Sequence, residues 1–560
     1  MESREEKRGE KDSREKNTEF REQASLRVPQ GMRYVLPDKS FRRLENAITG
    51  VFEEWGFQEV IVPTLEYWEN SGRAGADNAF KLIDQNGEVL MLRSDMTTPI
   101  ARLAASRFPI EDHPRLYYSA NVFCAEKSRA GGLREFRQMG AEMIGDGSPD
   151  CDALIIGLAV AALEKAGVRD FEISLGNAGF LRGLLNSLVL PPDGEKTLLQ
   201  SVIKRDFVQL EILLQQYEVQ ADVRKLILSL PSLRGGVSVI DKAISLVKNP
   251  LSLAALENLR QVFDRLRSRG MADRVCIDLN LVQDFDYYTG VVFEGYCPRL
   301  GVPLCHGGRY DNLLRSYGRD LPATGFAIDF DKLLALPQGE KNDSGVLTIA
   351  LPKGKLGEEA VRLLDRAGFG MEGLEVEARK LFYSNEEAGI NYIICRPTDI
   401  PAYVEHGAAD IGIVGKDTIV ESDKDVFELL DLGYGFCRFV VAAPKEKVEE
   451  LRCAGKDVLS GFNQGRVATK FPRVAEIFFR SKGLQIEVIK LHGNVELAPG
   501  CGLADLIVDI VSTGKTLEEN NLTAIAEIFS ASARLIANRV SYRIKHGRVQ
   551  EIAEKLGSLI

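Results

Sequence analysis

The sequence predicts two differently built halves, an α+β half with an antiparallel sheet followed by an α/β half. Three observations carry this. Before about residue 336 the strand and helix signals cluster by type, with a nearly all-helical stretch at about 180–270, whereas beyond it they alternate. Between the halves lies PQGEKNDSG, Pro337–Gly345, a polar, turn-rich run that reads as a linker. Finally, 560 residues at roughly 150 per domain give three or four domains, and 45% hydrophobic residues suffice for several cores.

Residues 1–27 mix acids and bases with almost no apolar residue, which predicts a disordered tail. Order is expected to begin near Pro37. Asp38 or Ser40 can cap a helix whose Phe41, Leu44, Ile48, Val51, Phe52 and Trp55 recur every three or four residues up to Gly56. Phe57–Pro63 reads as a strand, and a helix capped by Asp152 and stopped by Gly167 is expected between strands Ala141–Ile144 and Phe171–Leu175. Val275–Leu279, Gly290–Glu294 and Thr324–Ile328 complete the antiparallel set. In the second half, strands at Leu347–Leu351, Ile411–Val414, Val440–Ala443, Val467–Thr469 and Leu506–Val511, with helices at Glu358–Ala367 and Pro472–Lys482, predict mostly parallel sheets.

With 71 Lys and Arg against 81 Asp and Glu, the net charge of −10 has the wrong sign for general attraction to phosphate backbones, so a nucleic-acid partner would need a local basic cleft. No apolar run reaches the roughly 18 residues of a membrane span, and MESREEKRGE is too charged for a signal peptide, so the expectation is a cytoplasmic protein with no membrane partner. The nine cysteines are scattered without a C-x-x-C pair, and the five histidines lack H-x-x-x-H spacing. A zinc or disulfide framework is not expected. The metal expected instead is Mg2+, arriving with a phosphorylated substrate and keeping most of its waters.

The most informative segment is ELAPGCGLADLIVDIVSTGKTL, Glu496–Leu517, an apolar strand carrying Asp505 and Asp509 into the loop Ser512, Thr513, Gly514, Lys515, Thr516. A nucleotide P-loop would need glycine where Asp509 stands. A small loop whose N–H groups and hydroxyls hold one phosphate fits better, with Asp509 accepting from neighbouring sugar hydroxyls. Together these describe a ribose 5-phosphate site; the plainer alternative is a strand–turn–helix with Gly514 at the turn and Thr516 as cap. The longer pattern decides. This segment, with LPKGKL (Leu351–Leu356), RPTDIPAYVEHGAADIGIVGKD (Arg396–Asp417), LGYGFCRFVVA (Leu432–Ala442) and ATKFP (Ala468–Pro472), resembles the short form of ATP phosphoribosyltransferase, which opens histidine biosynthesis.

That resemblance implies a bilobal domain at 346–560 with a fold like that of periplasmic binding proteins, one lobe at about 346–436 and 516–560, the other at about 437–515. It implies transfer of a phosphoribosyl group from phosphoribosyl pyrophosphate to N1 of the ATP adenine, with pyrophosphate released and Mg2+ present. Such a reaction needs alignment and charge stabilisation more than a covalent nucleophile. Within the matching motifs, Lys353, Arg396 and Lys470 are the cations expected on phosphate oxygens, Lys353 and Arg396 with Asp509 being the catalytic candidates. Lys353, Gly354, Arg396, Asp417 and Lys470 are assigned to ATP, with Asp417 an adenine or ribose contact or else a helix cap. Glu496, Asp505, Asp509 and Ser512–Thr516 are assigned to phosphoribosyl pyrophosphate. Glu496 and Asp505 are candidate contacts to hydrated Mg2+, although Asp505 can equally face solvent. Cys437 reads as a small apolar residue.

The first half carries LRSDMTTPIAR (Leu92–Arg102), REFRQMGAEMIG (Arg134–Gly145), DYYTGVVFEGY (Asp286–Tyr296), GGRYDNLL (Gly307–Leu314) and GFAIDFDKLL (Gly325–Leu334). It resembles histidyl-tRNA synthetase over residues 28–336, which implies a class II aminoacyl-tRNA synthetase-like antiparallel sheet with helices. Where that family has arginines this chain has Cys124, Gln283 and Lys332, each a lost fixed cation at a phosphate transition state. The pattern is similar to the inactive, synthetase-like regulatory subunit of short ATP phosphoribosyltransferases. It implies a histidine pocket in which Asp95 and Glu142 hold the ammonium group, Gln138 and Thr97 add hydrogen bonds, and Tyr287 and Tyr288 pack on the imidazole. Histidine would then inhibit, and the chain would form a homodimer or tetramer. The competing readings are a non-catalytic assembly protein of the same pathway and, disfavoured by the three lost arginines, a working synthetase.

Overall fold

A computed structural model describes residues 28–70, 79–125, 132–188, 190–281, 287–336, 345–455, 457–511 and 514–560. The expected tail, nearly all of the linker, Gln283, Ser512 and Thr513 lie outside the described residues. The first half is built on a nine-stranded sheet in the order Gln58–Glu59, Arg115–Phe123, Glu135–Ile144, Ala323–Asp329, Cys305–Arg309, Val291–Tyr296, Glu172–Asn177, Val275–Asp278, Arg234–Gly235. All neighbours are antiparallel except the first pair and the pair Glu172–Asn177 with Val275–Asp278.

The helix Lys39–Glu54 starts where Asp38 accepts the N–H of Phe41 at 2.8 Å, and it buries Phe41, Ile48, Val51 and Phe52. The expected strand at Phe57–Pro63 shrinks to Gln58–Glu59, because beyond it only Val60 N–H still finds the neighbouring strand, at Tyr117 O. The helix Pro149–Lys165 is capped by Ser148 rather than Asp152. Asp152 is instead buried one turn on, within 2.8 Å of the Arg309 guanidinium. A carboxylate that reads as a cap in sequence thus serves as the counter-ion of a buried arginine, which a one-dimensional pattern cannot distinguish. The helical stretch resolves into Ala178–Asn186, Pro192–Lys204, Phe207–Gln216, Ala221–Ser229, Ser238–Leu246 and Pro250–Ser268. These pack into the same core as the sheet.

The second half contains two sheets, each with its own apolar core. The six-stranded sheet runs Phe382–Asn385, Ile390–Cys395, Leu347–Pro352, Ile411–Gly415, Ala533–Ala537, Phe427–Asp431. The five-stranded sheet runs Ile486–Lys490, Gly465–Thr469, Leu506–Val511, Cys437–Pro444, Leu522–Ala531. Both are mixed rather than mostly parallel: the chain crosses between sheets at 432–436 and returns at Ser532, and the strands flanking these crossings pair antiparallel with their neighbours. Leu522–Ala531 stays in the five-stranded sheet, so the return lies at Ser532 and not at the expected 516. The pattern at 522–531 alternates too weakly to announce a strand, since half-exposed residues occupy half of it and only its two ends are buried. No helix among the described residues is long and apolar enough to cross a membrane.

Candidate active site and candidate ligand pocket

In both sheets of the second half the candidate residues follow the C-terminal ends of adjacent parallel strands. Lys353 and Gly354 follow Leu347–Pro352, Arg396 follows Ile390–Cys395, and Asp417 follows Ile411–Gly415; the first strand lies parallel between the other two. Lys470 follows Gly465–Thr469, Gly514–Thr516 come after Leu506–Val511, and Glu496 lies beyond Ile486–Lys490, again a parallel set. Ligands of open α/β sheets gather at such edges, where loops and helix N-termini converge. The two lobes meet through the helices that follow these strands. The helix Lys416–Ser422 meets the helix Pro472–Ser481, whose first N–H groups at Arg473 and Val474 donate to Glu421 at 3.3 and 3.1 Å. Arg473 also pairs with Asp423 at 2.8 Å.

A cavity of about 260 Å³ opens beside Asp509 and is lined by Glu496, Ile510, Val511, Gly514 and Thr516 among others. Asp509 is buried, with one carboxylate oxygen accepting from Ile510 N–H at 2.9 Å. Burial raises its carboxyl above the ordinary range; Lys470 nearby opposes the rise and Glu496 adds to it. Gly514 adopts φ +83, a left-handed turn glycine takes without strain, and it starts the short helix Lys515–Glu519. Asp505 is not brought to this cavity. It sits before the strand, on the order of 13 Å from Asp509 by strand rise, and it accepts from Arg466 N–H at 2.8 Å, with the Arg466 side chain at 3.5 Å. Its carboxylate fastens two strands together.

On the six-stranded sheet, Gly354 has φ +83, precedes the helix Lys355–Arg366 and donates its N–H to Glu377 at 2.6 Å. Asp417 lies in the first turn of its helix, and burial raises its carboxyl against hydrogen bonds from the Thr418 N–H and hydroxyl and from its own N–H. Cys437 is half-buried at the crossing, its thiol pushed up to about 11 by burial and then by Asp417. Among the described residues no group of three His, Cys, Asp or Glu side chains is placed to hold a metal by itself.

In the first half, Glu142 is wholly buried on the strand Glu135–Ile144. Its two oxygens accept from Thr97 Oγ1 at 2.8 Å and Tyr310 Oη at 2.6 Å. Burial pushes its carboxyl up to about 8 against those two bonds, and Asp95 adds to the rise. Asp95 caps the helix Thr97–Arg107 by accepting from Thr98 N–H at 2.7 Å, and burial raises it as well. Tyr287 stands edge-on to Tyr288 at 4.9 Å and stacks on Tyr310 at 5.4 Å. Gln138 shares a strand face with Glu142 by alternation. A Cβ on Gly325 would lie 1.6 Å from a Glu142 oxygen, so the neighbouring strand must carry glycine there. Tyr310 and the buried Tyr118, whose ionisation Glu142 and Asp95 oppose, join the pocket although they were absent from the expected set. Tyr310 belongs to the G-G-R-Y motif, whose sequence carries no sign that its hydroxyl meets Glu142. Lys332 Nζ turns away to Pro303 O at 3.3 Å and Asp329 at 3.1 Å, while Cys124 is half-buried.

A family model of histidyl-tRNA synthetase matches residues 31–333, and one of ATP phosphoribosyltransferase matches residues 396–558. The ATP phosphoribosyltransferase of Moorella thermoacetica is 61% identical over 213 residues, covering 38% of this chain and 92% of the relative. The ATP phosphoribosyltransferase regulatory subunit of the same organism is 40% identical over 322 residues, 56% of this chain and 82% of the relative. Among solved structures, an ATP phosphoribosyltransferase regulatory subunit/histidyl-tRNA synthetase from Bacillus halodurans superposes with a TM-score of 0.53 at 35% identity, over 61% of this chain and 89% of its own. The first half therefore has a class II synthetase-like fold.

Proposed function

Because the chain belongs to the ATP phosphoribosyltransferase family, with a regulatory-subunit-like half and a transferase half in one polypeptide, we propose that its substrates meet between the two sheets of the second half. The enzyme joins ATP and phosphoribosyl pyrophosphate in the first step of histidine biosynthesis. The observation that carries the site reading is that Lys353, Arg396, Asp417 and Lys470 follow the C-terminal ends of parallel strands in two lobes that touch through their helices, with Glu496, Asp509 and Gly514 at one cavity. We read the two lobes, within a transferase domain at 346–560, as a cleft of the periplasmic-binding-protein kind.

In this reading the N1 lone pair of adenine forms the bond to ribose C1 as the C1–oxygen bond breaks, its electron pair leaving on pyrophosphate. Asp509 accepts from the ribose hydroxyls, which aligns C1 and favours its developing positive charge. The loop at 512–516 holds the 5-phosphate, and Lys470, Lys353 and Arg396 meet the remaining phosphate oxygens. The pair Glu496 and Asp509 at one cavity fits a hydrated Mg2+ arriving with phosphoribosyl pyrophosphate, where it supplies charge neutralisation on the leaving group. Asp505, occupied with Arg466, is left out of that role.

The first half, over 28–336, is assigned as the sensor of histidine, the carboxylates of Asp95 and Glu142 receiving its ammonium and the tyrosines its ring. The chain is read as a cytoplasmic homo-oligomer that acts on small molecules rather than tRNA. The deciding experiment follows pyrophosphate release by the full-length chain with ATP, phosphoribosyl pyrophosphate and Mg2+, with and without millimolar histidine. Turnover suppressed by histidine supports both assignments. Turnover indifferent to histidine removes the sensor, and no turnover removes the placement of the site.

A further inference from the structure

The two strands that border the lobe crossings are held at their opposite ends by the first half. Phe427–Asp431 and Ala533–Ala537 pair antiparallel, Asp431 opposite Arg534 and Phe427 opposite Ala537. At the Asp431 end lie both crossings, tied by Ser532 Oγ to Asp431 at 2.8 Å and by Lys416 N–H to Ser532 O at 3.0 Å. At the other end Arg539 pairs with Glu294 of the first half, and Asp425 takes Arg205 of the first half at 3.2 Å and Arg539 at 3.4 Å. Arg543 reaches Asp278 at 3.0 Å between the rings of Tyr296 and Phe427, and Glu428 N–H donates to Arg205 O at 3.2 Å, while Lys416, whose N–H sits at the return crossing, stretches its side chain back to Glu428 and to Asp206 of the first half, the latter at 2.7 Å.

This contact is built and not incidental. A Cβ on Gly301 would lie 2.4 Å from the His406 backbone, so the two halves touch main chain to main chain, and Asn538 bonds Gly301 O at 3.0 Å. Glu294 is fully buried; despite burial, Arg539, Arg543 and Arg205, drawn from both halves, hold its carboxyl down to about 2. Its strand, Val291–Tyr296, begins three residues after Tyr288 of the candidate pocket. A displacement of that strand therefore has a direct mechanical route to the strand pair that carries both crossings.

We propose that the first half sets the angle between the transferase lobes by gripping the strand pair Phe427–Asp431 and Ala533–Ala537 at the end remote from the crossings, with Glu294 and Arg539 as the transmitting pair. The inhibition readout rests on the histidine-sensor reading; the grip itself rests on geometry. The test is amide hydrogen exchange on the full-length chain across 430–437 and 529–535, together with histidine titrations of activity, for wild type, Glu294→Gln and Asp206→Asn. The expected result is exchange at the crossings faster by fivefold or more in Glu294→Gln, unchanged exchange in Ile411–Gly415, and inhibition by histidine reduced at least tenfold while calorimetry still shows histidine bound. Should Glu294→Gln fail to fold, the half-buried Asp206→Asn is expected to show the same changes at smaller amplitude. Wild-type exchange at the crossings in a folded variant would overturn the grip. If wild type binds no histidine, the sensor reading falls and the exchange data still decide the grip.

Discussion

Lowering the pH below 8 is expected to weaken histidine binding in a way that Glu142→Gln abolishes. The Glu142 carboxyl is buried beside Asp95 and is pushed up to about 8. An ammonium ligand binds the carboxylate, so at pH 7 only roughly one pocket in ten is ready, and the apparent dissociation constant rises about tenfold, ~1.4 kcal/mol, for each pH unit below 8. Calorimetry in two buffers of different ionisation enthalpy would show about 0.9 proton released per histidine bound at pH 7. The ligand imidazole titrates near 6.5 in both proteins, so the difference between wild type and Glu142→Gln isolates Glu142. Folding stability has the matching sign: Glu142 moves from 4.5 unfolded to about 8 folded. Its protonated form contributes fully below 4.5, and that contribution is lost as pH rises through 8, by about 3 to 5 kcal/mol. Glu142→Gln should therefore unfold at higher denaturant than wild type above pH 8. A dissociation constant flat from pH 6.5 to 8 with no proton release would refute the reasoning.

Asp509→Ala is expected to lower kcat/KM for pyrophosphate release by about 10²–10⁴, the loss of two hydrogen bonds from ribose hydroxyls to a charged acceptor at about 1.5–3 kcal/mol each, with the thermal melt unchanged within a few degrees. Asp505→Ala should keep activity within about twofold, because that carboxylate holds Arg466 rather than the cavity; a hundredfold loss would return it to the site. Asp152→Ala leaves Arg309 buried without its 2.8 Å partner and should cost about 3–5 kcal/mol in urea unfolding. If that variant unfolds with wild type, the Asp152–Arg309 pair does not hold the sheet together.

Local patterns were enough for the helices whose apolar spacing is their whole logic. Lys39–Glu54 with its Asp38 cap and Pro472–Ser481 could be read within two residues, since each sequence carries its own start, stripe and stop. The strand Leu506–Val511 with Asp509 at its buried face was legible for the same reason, as one carboxylate in an apolar run. The motifs, which report chemistry rather than geometry, sufficed to separate a transferase half from a synthetase-like one. Asp152 and Asp505 show where that logic stops. Each looked like a cap or a site residue until its partner, Arg309 or Arg466, was placed beside it from 157 or 39 residues away. The return crossing at Ser532, the mixed strand directions and the two-sided hold on Phe427–Asp431 are likewise invisible in one dimension. They depend on which distant strands pair and which buried charges find counter-ions, and those choices are settled by whole-sheet packing and desolvation rather than by any residue's own propensity.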